Sequence, residues 1–211
     1  MEKKFELLGE QKIIGELILF RIRALADFSG VKKGDLGGWI ENEKNLAHTG
    51  NAWVAGNAKV FGDAWVSGNA KVSGNAKVSG NAWVAGNAKV FGDAKVFGNA
   101  EVFGNAEVSG NAWVAGNAKV FGDAKVFGDA EVFGDAWVSK TEDFIVFKNW
   151  WSSGRYFTWT RSNNMWKVGC FYGTGAELIR KAYMDSEKSG REYERVVKYV
   201  EGILKEESEQ K

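Results

Sequence analysis

Residues 51–68 read Asn51-Ala-Trp-Val-Ala-Gly-Asn-Ala-Lys-Val-Phe-Gly-Asp-Ala-Trp-Val-Ser-Gly68, three copies of one six-residue unit. The unit is Asn or Asp, then Ala, a variable residue, Val, a second variable residue and Gly. It runs without a slip from Asn51 to Lys140, with valines from Val54 to Val138 and alanines from Ala52 to Ala136, which makes 15 units in 90 residues. In an extended Ala-x-Val triplet, Ala and Val point to one side and x to the other. Gly followed by Asn or Asp then makes a corner. Gly takes positive φ without penalty, and Asn and Asp tolerate it better than other residues. Each unit is a short strand and a bend, and its small and β-branched inward atoms suit a narrow core.

No segment of the unit reverses the chain, so hairpins are excluded, whereas three units close a triangular coil. At 18 residues per coil the 90 residues predict five coils, a prism ~24 Å tall at the usual strand spacing. The pattern resembles the hexapeptide-repeat family, in which an aliphatic residue is followed four positions later by a small one, as Val54 is by Ala58 and Val132 by Ala136. The resemblance implies a left-handed parallel β-helix. The hand comes from the resemblance alone, because general crossover rules favour the right. A longer duplication overlies the hexads, with the same 14-residue string starting at Asn51, Asn81 and Asn111. Its 30-residue spacing is not a multiple of 18. The copies therefore fall on different faces, and the duplication reads as a structural spacer rather than a binding row.

Stepping by one coil sorts the outward side chains into three faces. One carries Trp65, Trp83, Phe103, Phe121 and Trp137, with only Glu101 and Lys119 charged. Five large rings on one small face make a candidate self-association surface, although stacked rings also stabilise a coil on their own. The resemblance implies a trimer.

The flanks are not repetitive. Residues 1–44 read as a small β cap: Leu17–Leu25 is a strand paired with Phe5–Leu8, and a glycine-rich turn, Lys32–Trp39, leads into the repeat. Ile40 and Leu46 lie 12 and 6 residues before Ala52 and are expected to continue the inward column. His48 then takes the valine position of a degenerate unit, as a structural side chain. Residues 141–211 read as an α+β module that caps the last coil. Its strands are expected at Asp143–Lys148, Arg155–Thr160 and Met165–Phe171. A capping box at Thr174–Glu177 opens a helix to about Ser186, and Ser189–Glu192 opens a second one. The expected fold is mainly β: a left-handed parallel β-helix of about five coils over 45–140, with the cap before it and the module after it.

Composition narrows the function. Lys plus Arg is 28 and Asp plus Glu 27, a balance that argues against a broad nucleic-acid surface. A single cysteine, Cys170, excludes an internal disulfide framework, and a single histidine, His48, excludes a multi-histidine metal site within one chain. The three-histidine zinc chemistry of the carbonic anhydrases that resemble this fold is excluded with it. Cys170 lies among apolar residues and is expected to be buried. No metal, cofactor or catalytic residue is assigned. No apolar run is long enough to span a bilayer and the N-terminus lacks a signal-peptide core, so a cytoplasmic protein is expected.

The C-terminal module holds the candidate ligand site: Trp150, Trp151, Arg155, Tyr156, Arg161, Lys167, Tyr172, Gly173 and Thr174. Between Phe144 and Ala176 there are four basic groups and no acidic one. Gly173 and Thr174 precede a helix start, where free N–H groups favour an anion. Arg and Lys match phosphate or carboxylate, and indoles stack on flat rings.

The segments Gly34–Leu46 and Asn149–Thr160, together with the hexads, look like proteins of bacteriophage and prophage genomes, some labelled polymer-forming. The resemblance implies no reaction. The expectation is a non-enzymatic oligomeric rod whose module binds a small anionic ligand, such as a nucleotide signal of host defence, or a host protein. A purely structural scaffold and a divergent transferase using His48 are the alternatives.

Overall fold

The computed structural model describes residues 3–210. The chain opens with an antiparallel hairpin, β1 (Phe5–Ile14) and β2 (Leu17–Ala24), and continues into β3 (Leu36–Ile40). β3 joins two kinds of sheet. It pairs antiparallel with β2, placing Phe20 opposite Ile40, and parallel with β5 (Lys59–Val60), placing Ile40 opposite Val60. From β4 (Trp53–Val54) to β18 (Trp137–Val138), each hexad contributes one two-residue strand to a parallel β-solenoid.

The strands stack into three parallel sheets. One has six rungs, from β3 to β17 (Glu131–Val132). The other two have five rungs each, and the one that starts at β6 (Trp65–Val66) gains a further level where Leu46 bridges Val66. The solenoid therefore has about six turns, not the five expected, because the N-terminal segment supplies a coil of its own. Ile40 and Leu46 pair with valines 20 residues ahead, Val60 and Val66. Both face inward as expected and are buried in the solenoid core, but they stand in the valine column, not in line with Ala52. The two extra residues lie in the corner between Leu46 and Val54, and they move His48 out of the valine position and into that corner.

Inside, every repeat valine is fully buried, and so is every repeat alanine to within 1%. Positive φ falls on glycine, while no repeat Asn or Asp adopts it; among the described residues only Ser29 and Asn164 are non-glycine positions of that kind. Gly86 shows why the glycine is needed. Its φ is +65°, and a Cβ there would lie 2.9 Å from the backbone nitrogen of Gly104 on the next coil.

Asn and Asp instead build side-chain ladders. Asn51 Nδ2 donates to Asn69 Oδ1 at 2.9 Å, Asn69 to Asn87, Asn87 to Asn105 and Asn105 to Asp123. An amide both donates and accepts, whereas a carboxylate only accepts. An Asp can therefore end such a run but cannot continue it, and all three corner columns end in Asp, at Asp123, Asp129 and Asp135.

The C-terminal module has four strands where three were expected: β19 (Phe144–Lys148), β20 (Tyr156–Thr160), β21 (Met165–Val168) and β22 (Phe171–Gly173). Gly169, at φ +54°, breaks the expected third strand into a hairpin that pairs Val168 with Phe171. Cys170 thus sits at a turn and is exposed, contrary to the burial expected from its apolar neighbours. Two helices follow, α1 (Gly175–Asp185) and α2 (Glu187–Glu209). α2 starts earlier than expected because Ser186, not Ser189, is its N-cap; Ser186 Oγ accepts from Ser189 N at 3.1 Å. β19 alternates between two cores. Phe144 and Val146 pack on the solenoid core, while Ile145 and Phe147 pack on the module's own core around Phe157, Trp159 and Trp166.

Both solenoid ends are closed by hydrogen bonds. Within the shaft, the N–H that opens each rung donates to an alanine carbonyl of the next coil, as Trp53 N does to Ala70 O at 3.0 Å. The first coil of hexads therefore presents three alanine carbonyls to the segment before it. Lys4 Nζ donates to Ala52 O at 2.8 Å, Trp39 N to Ala58 O at 2.9 Å and Asn45 Nδ2 to Ala64 O at 2.8 Å. The last coil leaves its three rung-opening N–H groups without a later one. Lys125 N donates to Thr141 Oγ1 at 3.3 Å, Glu131 N to Thr158 Oγ1 at 2.8 Å and Trp137 N to Ser162 Oγ at 2.7 Å. Among the described residues no helix is long and apolar enough to cross a membrane.

Candidate functional site

The parallel register, with Trp65 opposite Trp83 and Lys119 opposite Trp137, places the five rings on one face. Trp65 and Trp83 stack at 6.0 Å between centroids, Trp83 and Phe103 at 6.4 Å, and Phe103 and Phe121 at 5.3 Å, all within 22° of parallel. Such contacts stabilise the coil by about 0.5–1.5 kcal/mol each beyond area burial. They leave much of the surface open: Trp65 is 46% exposed, Trp83 37% and Trp137 56%. The charges of this face, Glu101 and Lys119, pair with each other at 3.0 Å. What remains is an aromatic surface without an unpaired charge.

The nine module residues do not gather in one pocket. Five are engaged within the molecule. Arg161 holds the Glu207 carboxylate with two nitrogens, at 2.6 and 3.2 Å. Lys167 reaches Glu131 at 3.2 Å and lies over the Phe133 ring. Tyr172 donates to Phe133 O at 3.3 Å, and burial pushes its phenol above the ordinary value. Gly173 ends β22, and Thr174 caps α1. There Glu177 Oε2 accepts from Thr174 N at 2.9 Å, so the helix N-terminus already holds the protein's own carboxylate. Hydrogen bonds to Thr174 keep the Glu177 carboxyl below its ordinary range.

The other four occupy the β19–β20 hairpin tip. Trp150 is 82% exposed and meets Trp151 edge-on, while Trp151 packs inward on Phe157 and Tyr193. Arg155 is exposed and, among the described residues, forms no ion pair within the protein. Tyr156 lies opposite Lys148, whose ammonium is 5.8 Å from the ring centre, and its phenol is held above the ordinary value by a hydrogen bond to Asp129. The tip thus offers two cations and two accessible rings. Strand alternation alone did not separate it from the buried half of the same hairpin.

His48 stacks on Phe5 at 4.2 Å, and its Nδ1 accepts from Lys4 N at 3.2 Å. Nε2 is buried 3.7 Å from Glu43. The imidazole fastens the N-terminal strand to the first corner. The end-capping side chains Lys4, Asn45, Thr158 and Ser162 were missed in the sequence, since none belongs to a periodic pattern. Compared with protein-family models and with curated protein sequences, the chain matches none.

Proposed function

We propose that the chain is a non-enzymatic binding protein of phage or prophage type. In this reading it is a left-handed β-solenoid that assembles as a trimer through its aromatic face. It presents the Trp150–Tyr156 hairpin tip to a small anionic, nucleotide-like ligand or to a host protein. The observation that carries the reading is the aromatic face, where three tryptophans remain substantially exposed and the charges between them neutralise each other. Exposed apolar patches of this kind mark interaction sites, and Trp is enriched at interface hot spots. The tip supports the ligand half of the reading, because Arg155 and Lys148 carry no intramolecular counter-charge among the described residues while Arg161 and Lys167 do.

Sedimentation equilibrium tests the assembly. Wild type is expected as a trimer, and the Trp65→Ser, Trp83→Ser, Trp137→Ser variant as a folded monomer. A monomeric wild type, or a variant that still trimerises, overturns the assigned face. A thermal-shift screen with cyclic and linear nucleotides tests the tip, with shifts expected in wild type and abolished by Trp150→Ala, Arg155→Ala. The absence of any shift overturns the nucleotide form of the reading.

A further inference from the structure

One recess of the solenoid lies outside both the aromatic surface and the hairpin tip. Between β2 and β3 the chain makes a tight turn, in which Phe28 N donates to Val31 O at 3.0 Å and Val31 N to Phe28 O at 2.7 Å. Its central residues, Ser29 and Gly30, take φ of +42° and +86°, the positive values that suit a two-residue hairpin turn. This turn and the first two rungs of the neighbouring sheet, β4 and β7 (Lys71–Val72), border a pocket of about 240 Å³. Its walls are fixed. Phe28 meets Trp53 edge-on at 5.4 Å, and Gly37 packs so closely that a Cβ there would lie 2.6 Å from Trp53 Cζ2. The indole is held in one orientation, and Val31, Ala55 and Val72 complete the apolar lining. A pocket shaped in advance needs no ordering of its walls on binding.

The charge of the pocket has one sign. Lys71 is exposed and, among the described residues, forms no ion pair; the hydroxyls of Ser29 and Ser73 make no hydrogen bond there. Among the described residues no carboxylate lines the pocket. The corners flanking Lys71 on its own coil are Asn69 and Asn75, and the next lysine of its column, Lys89, pairs with Glu107 at 2.8 Å. The first acid of the two flanking ladders is Asp93, one coil further on. The charges of the loop that carries the turn, Asp27, Lys32, Lys33 and Asp35, sum to zero, and Lys32 meets Asp27 at 3.0 Å. One ammonium therefore lines the pocket uncompensated.

We infer that this pocket binds a small apolar carboxylate, with the carboxylate on Lys71 and the Ser73 hydroxyl and the hydrocarbon body against Trp53, Val31 and Ala55. Charge and volume select the class. One ammonium neutralises one carboxylate, whereas a phosphate group carries up to about two charges at neutral pH, and no second cation lines the pocket. Drug-sized ligands occupy sites of ~300–1,000 Å³; this smaller space admits one ring or a short chain. The pocket shares no residue with the aromatic face or the hairpin tip, so it is independent of trimer formation and of nucleotide binding.

The test is an NMR titration of isotope-labelled protein with phenylacetate, phenylacetamide and phenethylammonium, probes of nearly one shape that differ in charge. Phenylacetate is expected to give saturable shifts at Gly30, Ser73 and the Trp53 indole. Its dissociation constant is expected to be on the order of a millimolar, as suits about ten non-hydrogen atoms. The amide is expected to bind more weakly and the ammonium not at all. Lys71→Gln is expected to weaken phenylacetate about threefold to fivefold and to leave the amide unchanged. Ser73→Phe fills the pocket, and the coil accommodates it because Phe91 and Phe127 hold the same position of the unit on this face. It is expected to abolish the shifts, while Ser109→Phe, outside the pocket, changes nothing. If Ser73→Phe fails to fold, Ala55→Phe is read in the same way. No saturable shift with phenylacetate, an amide that binds as tightly as the carboxylate, or undiminished binding in the filled variant overturns the inference.

Discussion

At its first coil the solenoid offers carbonyls to whatever precedes it, and at its last coil it offers N–H groups. The N-terminal cap answers with donors: the Lys4 ammonium, the Asn45 amide and the Trp39 backbone. The C-terminal module answers with the hydroxyls of Thr141, Thr158 and Ser162, used as acceptors. One rule, that buried backbone groups must be paired, thus produces two unlike chemistries because the chain has a direction. It also bears on assembly. A copy stacked end to end would have to displace three satisfied bonds at each end, while the aromatic face is open without any such loss. Lateral association is the cheaper route, and a scaffold built by end-to-end stacking is the costlier one.

The sharpest way to break this comparison is to put an acceptor where a donor is required. Asn45 is fully buried, and its amide nitrogen serves Gly62 O at 2.9 Å and Ala64 O at 2.8 Å. Asn45→Asp keeps the shape but points a carboxylate at two carbonyls. An uncompensated buried charge of this kind is expected to cost about 3–5 kcal/mol at neutral pH. Burial and the facing carbonyls raise the folded pKa of the new acid above its unfolded value. Stability is therefore present at low pH, where the protonated acid can donate, and is lost as pH rises through the folded pKa. Urea midpoints at pH 7 and pH 5 check this; a variant equally stable at both would remove the donor requirement.

Lys4 gives the same end a pH dependence that the hydroxyl end lacks. Burial lowers its pKa to about 8 from an ordinary 10.5. Between those values the unfolded chain holds a proton that the folded chain has released. Stability consequently rises with pH across the window, by up to about 1.4 kcal/mol per unit, and this gain is lost as pH falls through 8. Tyr172 and Tyr193, raised above their ordinary 10.0 by burial, act oppositely at higher pH. Melting temperatures at pH 8 and 9.5 are thus the useful pair. Lys4→Met is expected to flatten the rise, and an unchanged slope would assign it to another group.

The shaft was legible because period and burial coincide: Val54 to Val138 needed only counting. The extra coil was hidden by the two residues inserted after Leu46, which shifted Ile40 into a column the period did not predict. The Asn and Asp corner was read through φ, whereas its role is a ladder bond, visible only once coils are stacked. In the module, the basic and aromatic composition was real. Pairing across the chain, Arg161 with Glu207 and Lys167 with Glu131, decided which cations stayed free, and pairing over 46 or 36 residues leaves no local signal.

The smallest effects separate the hydroxyl caps from one another. Thr158 is 1% exposed, so Thr158→Val removes the acceptor of the Glu131 N–H at a buried position. The loss is expected to be about 1–3 kcal/mol and the same at pH 5 and pH 9, because neither partner titrates. Ser162 is exposed. Water can replace its hydroxyl at the Trp137 N–H after Ser162→Ala, and the change is expected within about 0.5 kcal/mol. Denaturation of the two variants side by side measures burial at fixed chemistry, since each loses one hydroxyl acceptor for the first N–H of a final rung. Equal losses would mean that the module closes the Trp137 edge as tightly as the Glu131 edge.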